Sequence, residues 1–351
     1  MELNNISVKD AFKQMQAKLT SGIGANGATL NKVAKDSEEG LFLYNALERI
    51  DPILHKPMSR FYWQDAMPIM YGGGAIEFAS FFRINYNSYD VNKNVASGNG
   101  NIITTVKASI QKFQTMVKAY SWKLEIGWID DIKYRQVGAD ILSQLDEGVR
   151  LYYNQKLDDV AFFGFVNEGA ADAYGLFNNA NITATQSTKQ FLDPTTTATD
   201  IVDALNTLLA GITAGAEYNK IYQVNHLLLP PSIYTALVQP MVIGSGSTAI
   251  YTNVIDYFKA NNYIKAIYGT DDLVILPNPY LETAGTGVTT DKRIVAYCYD
   301  EQVVRMPLPM DLTRGNTMFN PSSMAYETPF VTFIGSPQFV YITMLGYLDN
   351  I

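Results

Sequence analysis

The chain has 351 residues, of which 47% are hydrophobic and 17% are charged, and its formal net charge is −8. A single cysteine and two histidines exclude a disulfide scaffold and a cysteine-rich or polyhistidine metal site, and the acidic balance argues against a basic nucleic-acid-binding surface. The charged fraction lies below the roughly 25% of an average soluble domain, while 23 tyrosines are present. This combination predicts a surface that is largely covered by other subunits.

Residues 1–13 lack the apolar core of a secretory signal. The longest uncharged stretch, residues 221–255, is interrupted by prolines, glycines and polar side chains. We therefore expect no membrane-spanning helix, since such a helix needs about 20 mostly apolar residues. Cys298 lies in an apolar strand pattern and is expected to be a buried, reduced thiol.

The N-terminal part of the chain is its most charged region and predicts an arm over residues 1–70. Helical spacing is present from Val8 to Leu19 and again at 31–50, with a Gly/Asn-rich break at 22–27. This stretch is too short and too polar to bury a core of its own.

Residues 71–128 predict a long β-hairpin, because two alternating runs, 75–88 and 102–128, flank an Asn/Gly-rich tip. A hairpin of this length is not stable alone in water and needs a partner surface. Its aromatic side chains are candidate interface anchors and its lysines candidate rim charges. These predicted subunit-interface residues are Phe78, Phe81, Phe82, Tyr86, Tyr89, Lys93, Lys107 and Lys112.

The period then becomes helical, and residues 139–163 predict an amphipathic helix of about 37 Å. Residues 190–310 combine helical segments with buried strands, as in a compact α/β unit. Alternation returns over residues 318–349 and predicts further sheet structure. Within the α/β unit the predictions are a helix at 200–209 capped by Thr197 or Thr199, a strand at 223–229, a helix starting at Pro231, a helix at 251–261 and strands at 272–276 and 293–300.

No catalytic constellation is convincing, because the chain has no P-loop, no dinucleotide-binding glycine motif and no nucleophile elbow. His226 lies in a buried strand and is expected to be a structural histidine. Three acidic pairs are candidates for acid–base chemistry or a divalent cation, but adjacent carboxylates point to different sides of an element. We expect Asp130-Asp131 to cap a helix, Asp158-Asp159 to lie on a solvated face and Asp271-Asp272 to form a turn. Hence we predict no catalytic residue, no metal and no cofactor.

Two short motifs stand at the end of the predicted long helix: Ala161-Phe162-Phe163-Gly164, and then Gly175-Leu176-Phe177-Asn178. With these motifs, the order of arm, hairpin, helix, α/β unit and returning sheet resembles the Hong Kong 97-type major capsid proteins of tailed bacteriophages over nearly the whole chain. The resemblance implies an α+β fold in which residues 1–70 are the N-terminal arm, 71–128 the extended loop, 129–190 with 310–351 the peripheral domain, 139–163 its spine helix, and 191–309 the axial domain.

The resemblance also implies a function. Pentamers and hexamers of the chain would tile an icosahedral shell around phage double-stranded DNA without sequence-specific binding. A portal and scaffolding or decoration proteins would be further partners, and assembly would take place in the bacterial cytoplasm. The chain lacks the long charged coiled-coil N-terminal extension of some members, which implies a separate scaffolding protein or none.

Some members of this family join a loop lysine covalently to an asparagine of a neighbour, but Lys93 or Lys107 with Asn320 is too weak a pattern to predict that bond here. Two alternatives stay open. One is an encapsulin-like shell, which shares the fold and holds cargo enzymes. The other is a soluble hydrolase that uses an acidic pair such as Asp271-Asp272.

Overall fold

The structure is a computed structural model that describes residues 59–88, 106–137, 141–170, 172–215, 222–243, 250–270 and 273–351. Several sequence predictions lie outside the described residues. These are the helical stretches at 8–19 and 31–50, the hairpin tip and the pair Asp271-Asp272.

The first half of the described chain holds one short helix, one short strand, two long strands and two consecutive helices. In chain order these elements are α1 (Trp63–Ala66), β1 (Ile69–Tyr71), β2 (Phe78–Ser88), β3 (Val106–Gly127), α2 (Trp128–Val137) and α3 (Ile141–Phe163). The predicted hairpin strands and the predicted long helix are therefore present. Helix α2 was not predicted, because its apolar residues follow directly on those of β3.

The second half alternates helices with short strands and ends in a series of strands. Its elements are β4 (Thr185–Gln186), α4 (Ala198–Gly215), β5 (His226–Leu229), α5 (Pro231–Val238), β6 (Pro240–Ile243), β7 (Ile250–Asn253), α6 (Val254–Ala260), α7 (Tyr263–Tyr268), β8 (Val274–Pro277), β9 (Arg293–Tyr297), β10 (Val304–Leu308), β11 (Met310–Arg314), β12 (Met318–Asn320), β13 (Ala325–Gly335), β14 (Gln338–Phe339) and β15 (Leu345–Asp349).

Strand β3 changes its hydrogen-bonding partner halfway along its 22 residues. β2 pairs antiparallel with its first half and β13 pairs antiparallel with its second half. The change falls at two neighbouring residues, where the N–H of Val117 donates to the carbonyl oxygen of Glu77 and the carbonyl oxygen of Met116 accepts from the N–H of Ser336. The resulting sheet has the order β11-β13-β3-β2, with β12 also paired to β13.

The alternating pattern at 318–349 supplies strands to three different sheets. β12 and β13 join the sheet of β3, and β14 pairs with β10 in the small sheet β1-β10-β14. The last strand, β15, instead lies between β4 and β9 in the sheet β4-β15-β9-β5-β8. Residues 345–349 thus share a sheet with strands from the 191–309 region.

Two buried clusters hold these layers together. One surrounds the C-terminal half of α3, where the rings of Phe162 and Phe177 stack with centroids 4.6 Å apart. The other packs α4, α5 and α6 against the sheet that contains β5 and β9. Helix α4 begins with a reciprocal cap, in which Thr197 Oγ1 accepts from the N–H of Asp200 and Asp200 Oδ2 accepts from the N–H of Thr197. This confirms the predicted cap at Thr197.

The two motifs that follow one another in the sequence meet at the C-terminal end of α3. The last carbonyl groups of a helix have no partner within the helix. Here the N–H of Leu176 donates to the carbonyl oxygen of Ala161 at 3.0 Å and the N–H of Phe177 to that of Phe162 at 2.9 Å. Asn178 adds a hydrogen bond from its side-chain amide to the carbonyl of Phe163. The second motif is therefore the cap of the helix that ends in the first.

This backbone crossing requires glycine at two positions. Gly164 has a φ of +66°, which L side chains rarely adopt, and a Cβ atom there would overlap the carbonyl oxygen of Ala173. A Cβ atom at Gly175 would overlap the backbone of Phe162. By contrast, a Cβ atom at Gly148 in the middle of α3 would meet nothing within 4 Å.

We expect Gly175→Ala to destabilise the folded chain by about 1–3 kcal/mol or more, because the backbone segments must move apart. Gly148→Ala is the matched control. It should raise the free energy of unfolding by roughly 0.5–1 kcal/mol, because alanine has a higher helix propensity than glycine and its Cβ atom meets no neighbour there. Thermal unfolding followed by circular dichroism measures both. Equal effects of the two substitutions would contradict the close crossing.

A buried ion pair joins β9 to β15. The guanidinium of Arg293 donates from Nε and Nη2 to the two carboxylate oxygens of Asp349 at 2.7 and 2.6 Å, and Nη1 donates to the carbonyl of Phe177. The side chains of Arg293 and Asp349 are 6% and 0% exposed. Burial alone would raise the pKa of Asp349, but Arg293 and the N–H and hydroxyl of Thr286 outweigh it, so the pKa lies below its ordinary value.

Because the folded-state pKa of Asp349 is depressed, its contribution to stability is present above the unfolded pKa of about 3.9 and is lost as pH falls through the folded value. We expect Asp349→Asn to cost about 3–5 kcal/mol near neutral pH, since Arg293 then stays buried without its counter-ion. The variant should also lose less stability than the parent below about pH 4. Denaturant unfolding at several pH values measures this, with Asp130→Asn in the exposed pair Asp130–Lys133 as a near-neutral control. An unchanged midpoint for Asp349→Asn would contradict it.

Candidate assembly surface

β2 and the first half of β3 form a two-stranded ribbon, Phe78–Ser88 paired with 106–116. Successive side chains of a strand point to opposite faces, so the ribbon has two chemically different sides. One side, the open face, carries large apolar side chains that are 38% to 66% exposed. They are Phe78, Phe82, Ile84, Ile110 and Met116.

Cross-strand register gathers these residues into a patch. Phe78 lies opposite Met116, Ile84 opposite Ile110, and Phe82 opposite Lys112. Contiguous exposed apolar surface of this kind marks sites of protein interaction. Ile84, Ile110 and Met116 were absent from the predicted contact residues. The period-two alternation that places Phe78 and Phe82 on one face also selects Ile84, and register with the opposite strand adds Ile110 and Met116.

The other side of the ribbon faces a groove. Phe81 stacks on Phe113 with ring centroids 5.1 Å apart, and the guanidinium of Arg83 lies over the Phe113 ring at 5.2 Å. The groove has a volume of about 520 Å³ and is closed on its far side by residues of the 170–181 and 336–342 segments. Phe81 therefore lies on the opposite face from Phe78 and Phe82 and already has an aromatic neighbour within its own chain.

The structure places the remaining predicted contact residues as follows. Lys107 and Lys112 are exposed on the ribbon. Tyr86 is described by its backbone alone, which pairs with Ala108. Tyr89 and Lys93 lie outside the described residues.

A network of charges fixes the base of the ribbon to helix α3. Glu168 accepts hydrogen bonds from Lys118 and Tyr120 of β3, each at 2.8 Å, and forms an ion pair with Lys156 of α3. Burial alone would raise the pKa of Glu168, but these three donors lower it to about 2. The carboxylate stays ionised at physiological pH, so strand and helix remain tied.

A second, shallower groove of about 360 Å³ runs between β3 and α3 beside this network. Aromatic side chains line it, and Tyr152 projects from the helix with 62% of its surface exposed. Lys156 and Asp159, which pair at 2.7 Å, form its polar side.

The two acidic pairs that the structure describes have separate structural surroundings, and Asp271-Asp272 lies outside the described residues. Asp130 and Asp131 lie in the first turn of α2, where carboxylates stabilise the free N–H groups. The prediction of a solvated face for Asp158-Asp159 is wrong for Asp158, which is 1% exposed because its carboxylate accepts backbone hydrogen bonds from another segment. Within the described ranges, no group of three His, Cys, Asp or Glu side chains is arranged to hold a metal ion.

The other singled-out residues have structural surroundings. His226 stacks on Tyr299 with ring centroids 4.5 Å apart, and burial lowers its pKa to about 4. Cys298 is buried, and burial raises the pKa of its thiol to about 12, so the thiol is unreactive near neutral pH. In the part of the chain that is described, no helix has the length and apolar character required to cross a bilayer.

Solved structures with the same fold come from viral and bacterial shells. The capsid of Myoviridae phage XM1 matches with a TM-score of 0.69 at 13% identity, covering 88% of this chain and 98% of that one. A chain from Mycobacterium phage Bobi matches with a TM-score of 0.58 at 11% identity, covering 89% and 98%. An encapsulin complex from Synechococcus elongatus matches with a TM-score of 0.50 at 11% identity, covering 88% and 95%.

No curated protein shows significant sequence similarity to the chain. A family model does: the one described as Major capsid protein matches residues 93–351. This match spans most of the sequence and includes part of the ribbon, α3, the α/β region and the returning strands. The chain therefore belongs to the major capsid protein family and is a structural subunit of a capsid.

Proposed function

We propose that the chain has the Hong Kong 97-type fold and assembles through pentamers and hexamers into an icosahedral shell around the double-stranded DNA of a tailed bacteriophage. The observation that carries the proposal is the open face of the ribbon, whose large apolar side chains are 38% to 66% exposed. In a monomer such a face would promote aggregation. In an assembly it is buried against another subunit and stabilises the contact.

In this proposal residues 1–70 are the N-terminal arm and 71–128 the extended loop. Residues 129–190 with 310–351 are the peripheral domain, whose spine helix at about 139–163 corresponds to α3, and 191–309 are the axial domain. The pairing of β15 with β9 supports a subunit in which the peripheral and axial parts share one sheet.

The ribbon of one subunit would lie on a neighbour, with its open face turned inward and the lysines at the rim. The aromatic groove between β3 and α3 supports this arrangement, because it offers Tyr120, Trp122 and Tyr152 to an apolar strand. Phe78, Phe82, Tyr86 and Tyr89 would serve as anchors and Lys93, Lys107 and Lys112 as rim charges, while Phe81, on the groove face, would support the ribbon through its stack on Phe113. Several modest contacts per subunit suffice, because a closed shell engages all of them together.

One further part of the proposal follows from the acidic net charge of the chain. A net charge of −8 reduces adhesion of packaged DNA to the shell wall.

The chain would act by assembly and not by catalysis, without a cofactor. Its partners would be other copies of itself, a portal and scaffolding or decoration proteins. Assembly would take place in the bacterial host cytoplasm.

The encapsulin fold match supports a second candidate, a nanocompartment shell that holds protein cargo. The contents of purified particles distinguish the two candidates. Nuclease-protected DNA in particles from the native source supports the phage capsid, whereas co-purifying enzyme without DNA supports the nanocompartment.

We expect the double substitution Phe82→Ala and Ile110→Ala to leave the subunit folded and to reduce the yield of particles. Each lost side chain removes apolar area from the contact between subunits. A loss of about 1.4 kcal/mol in binding free energy lowers the affinity of that contact tenfold. Size-exclusion chromatography and negative-stain imaging measure assembly, and circular dichroism measures folding.

Val288→Ala is the matched control, because Val288 is 96% exposed in a loop far along the chain and should leave the yield unchanged. Phe81→Ala tests the groove face separately, since it breaks the stack on Phe113. An unfolded double variant would show that the open face belongs to a core and would contradict its role as an interface.

We expect assembled particles to give a single band at the monomer mass of 39.0 kDa on a denaturing gel. The contacts described above are non-covalent, so boiling in detergent should separate all subunits. A ladder of covalent multimers would contradict this expectation and would direct attention to lysines of the ribbon.

A further inference from the structure

Helix α3 carries a buried carboxylate that the assembly surface does not use. Oδ1 of Asp158 accepts hydrogen bonds from the N–H of Tyr62 at 3.0 Å and from the N–H of Trp63 at 2.8 Å. These two groups begin helix α1, and the cap residue Tyr62 supplies no side-chain acceptor of its own. Asp158 therefore caps α1 from a position 96 residues further along the chain.

The segment held in this way, residues 62–67, is here called the leading segment. Trp63, Ala66 and Met67 are buried in the same cluster as the C-terminal half of α3. The hydroxyl of Tyr297 donates to the carbonyl of Ala66 and fixes the far end of the segment. The leading segment thus inserts into the core, and Asp158 holds the end nearer the N-terminus.

Two polar groups make this insertion costly. Asp158 has no ion pair with a lysine, arginine or histidine within the described ranges, and the Nε1 donor of Trp63 is buried without a hydrogen-bond partner there. A buried donor without a partner and a buried charge without a counter-charge both disfavour the inserted state. The titratable groups on the elements around Asp158 supply no counter-charge to it. Tyr62 belongs to the leading segment and Tyr280, in the turn Pro279–Glu282, interacts with the Asp158 carboxylate. On α3 itself, Lys156 is paired with Asp159.

We propose that Asp158 is a proton-sensitive anchor of the leading segment, which is held most firmly when the carboxyl group is protonated and opens more easily when it is ionised. A protonated carboxyl group still accepts both N–H groups through its carbonyl oxygen, while the uncompensated charge disappears. Protonation of Asp158 therefore controls how firmly the leading segment is held against α3.

The sign is set by the balance between burial without a counter-charge, which favours the neutral carboxyl group, and the two N–H donors, which favour the ionised one. Burial raises the pKa of Asp158 to about 6, and the N–H groups of Tyr62 and Trp63 act in the opposite direction. Because the folded-state pKa is raised, the stabilisation by protonation is fully present below the unfolded pKa of about 3.9 and is lost as pH rises through about 6.

Hydrogen exchange of the full-length chain, read by mass spectrometry on peptides that cover residues 60–68, tests the proposal. After correction for the intrinsic chemical rate, we expect exchange in these peptides to be about tenfold faster at about pH 8 than at about pH 5. Peptides from the interior of α4 provide the internal reference and should show no such change.

Asp158→Asn should abolish the pH dependence, since the amide keeps an acceptor and carries no charge, whereas Asp159→Asn should retain it. Equal protection of the leading segment at both pH values in the parent chain would overturn the proposal. The same pH dependence in Asp158→Asn would also overturn it. If Asp158→Asn does not fold, the parent chain and Asp159→Asn still decide the outcome, and neither measurement depends on shell assembly.

Discussion

Every N–H and C=O group of a long strand needs a partner or water, and β3 meets this requirement with two different strands. Its second half is paired with β13 and covered by α3, so it belongs to the body of the subunit. Its first half is paired with β2 alone and projects as the ribbon. Because one continuous strand serves both parts, the body determines where the ribbon points, and the Glu168 network holds that direction at the base. The assembly surface therefore inherits its orientation from the core.

Local patterns in the sequence predicted much of this arrangement. Period-two alternation located both ribbon strands, and helical spacing located α3 to within two residues at its start. The cap at Thr197 was one of two predicted, the other being Thr199, because such a cap depends on residues three positions apart. Each of these features arises from contacts between near neighbours in the chain, which a single sequence displays directly.

Features that depend on distant pairing were not predictable in the same way. The alternation near the C-terminus does not predict that β15 pairs with β9. The pair Asp158-Asp159 does not predict that Asp158 caps a helix far upstream in the chain. The candidate surface falls between these cases. The strand parity of Phe81 and Phe82 already separates them onto two faces, and register with the opposite strand, which needs the turn, adds Ile110 and Met116. The predicted set therefore contained anchors from both faces and missed the partners across the ribbon.

The position of β15 also sets an order of events during synthesis. β15 fills the space between β4 and β9, and Asp349 neutralises Arg293 in the interior. Until β15 has been synthesised, the sheet of the α/β region lacks an internal strand, and Arg293 lacks its counter-ion Asp349. Contacts of such high sequence separation form late and slowly. The sheet of the α/β region therefore becomes complete only after β15 has been synthesised.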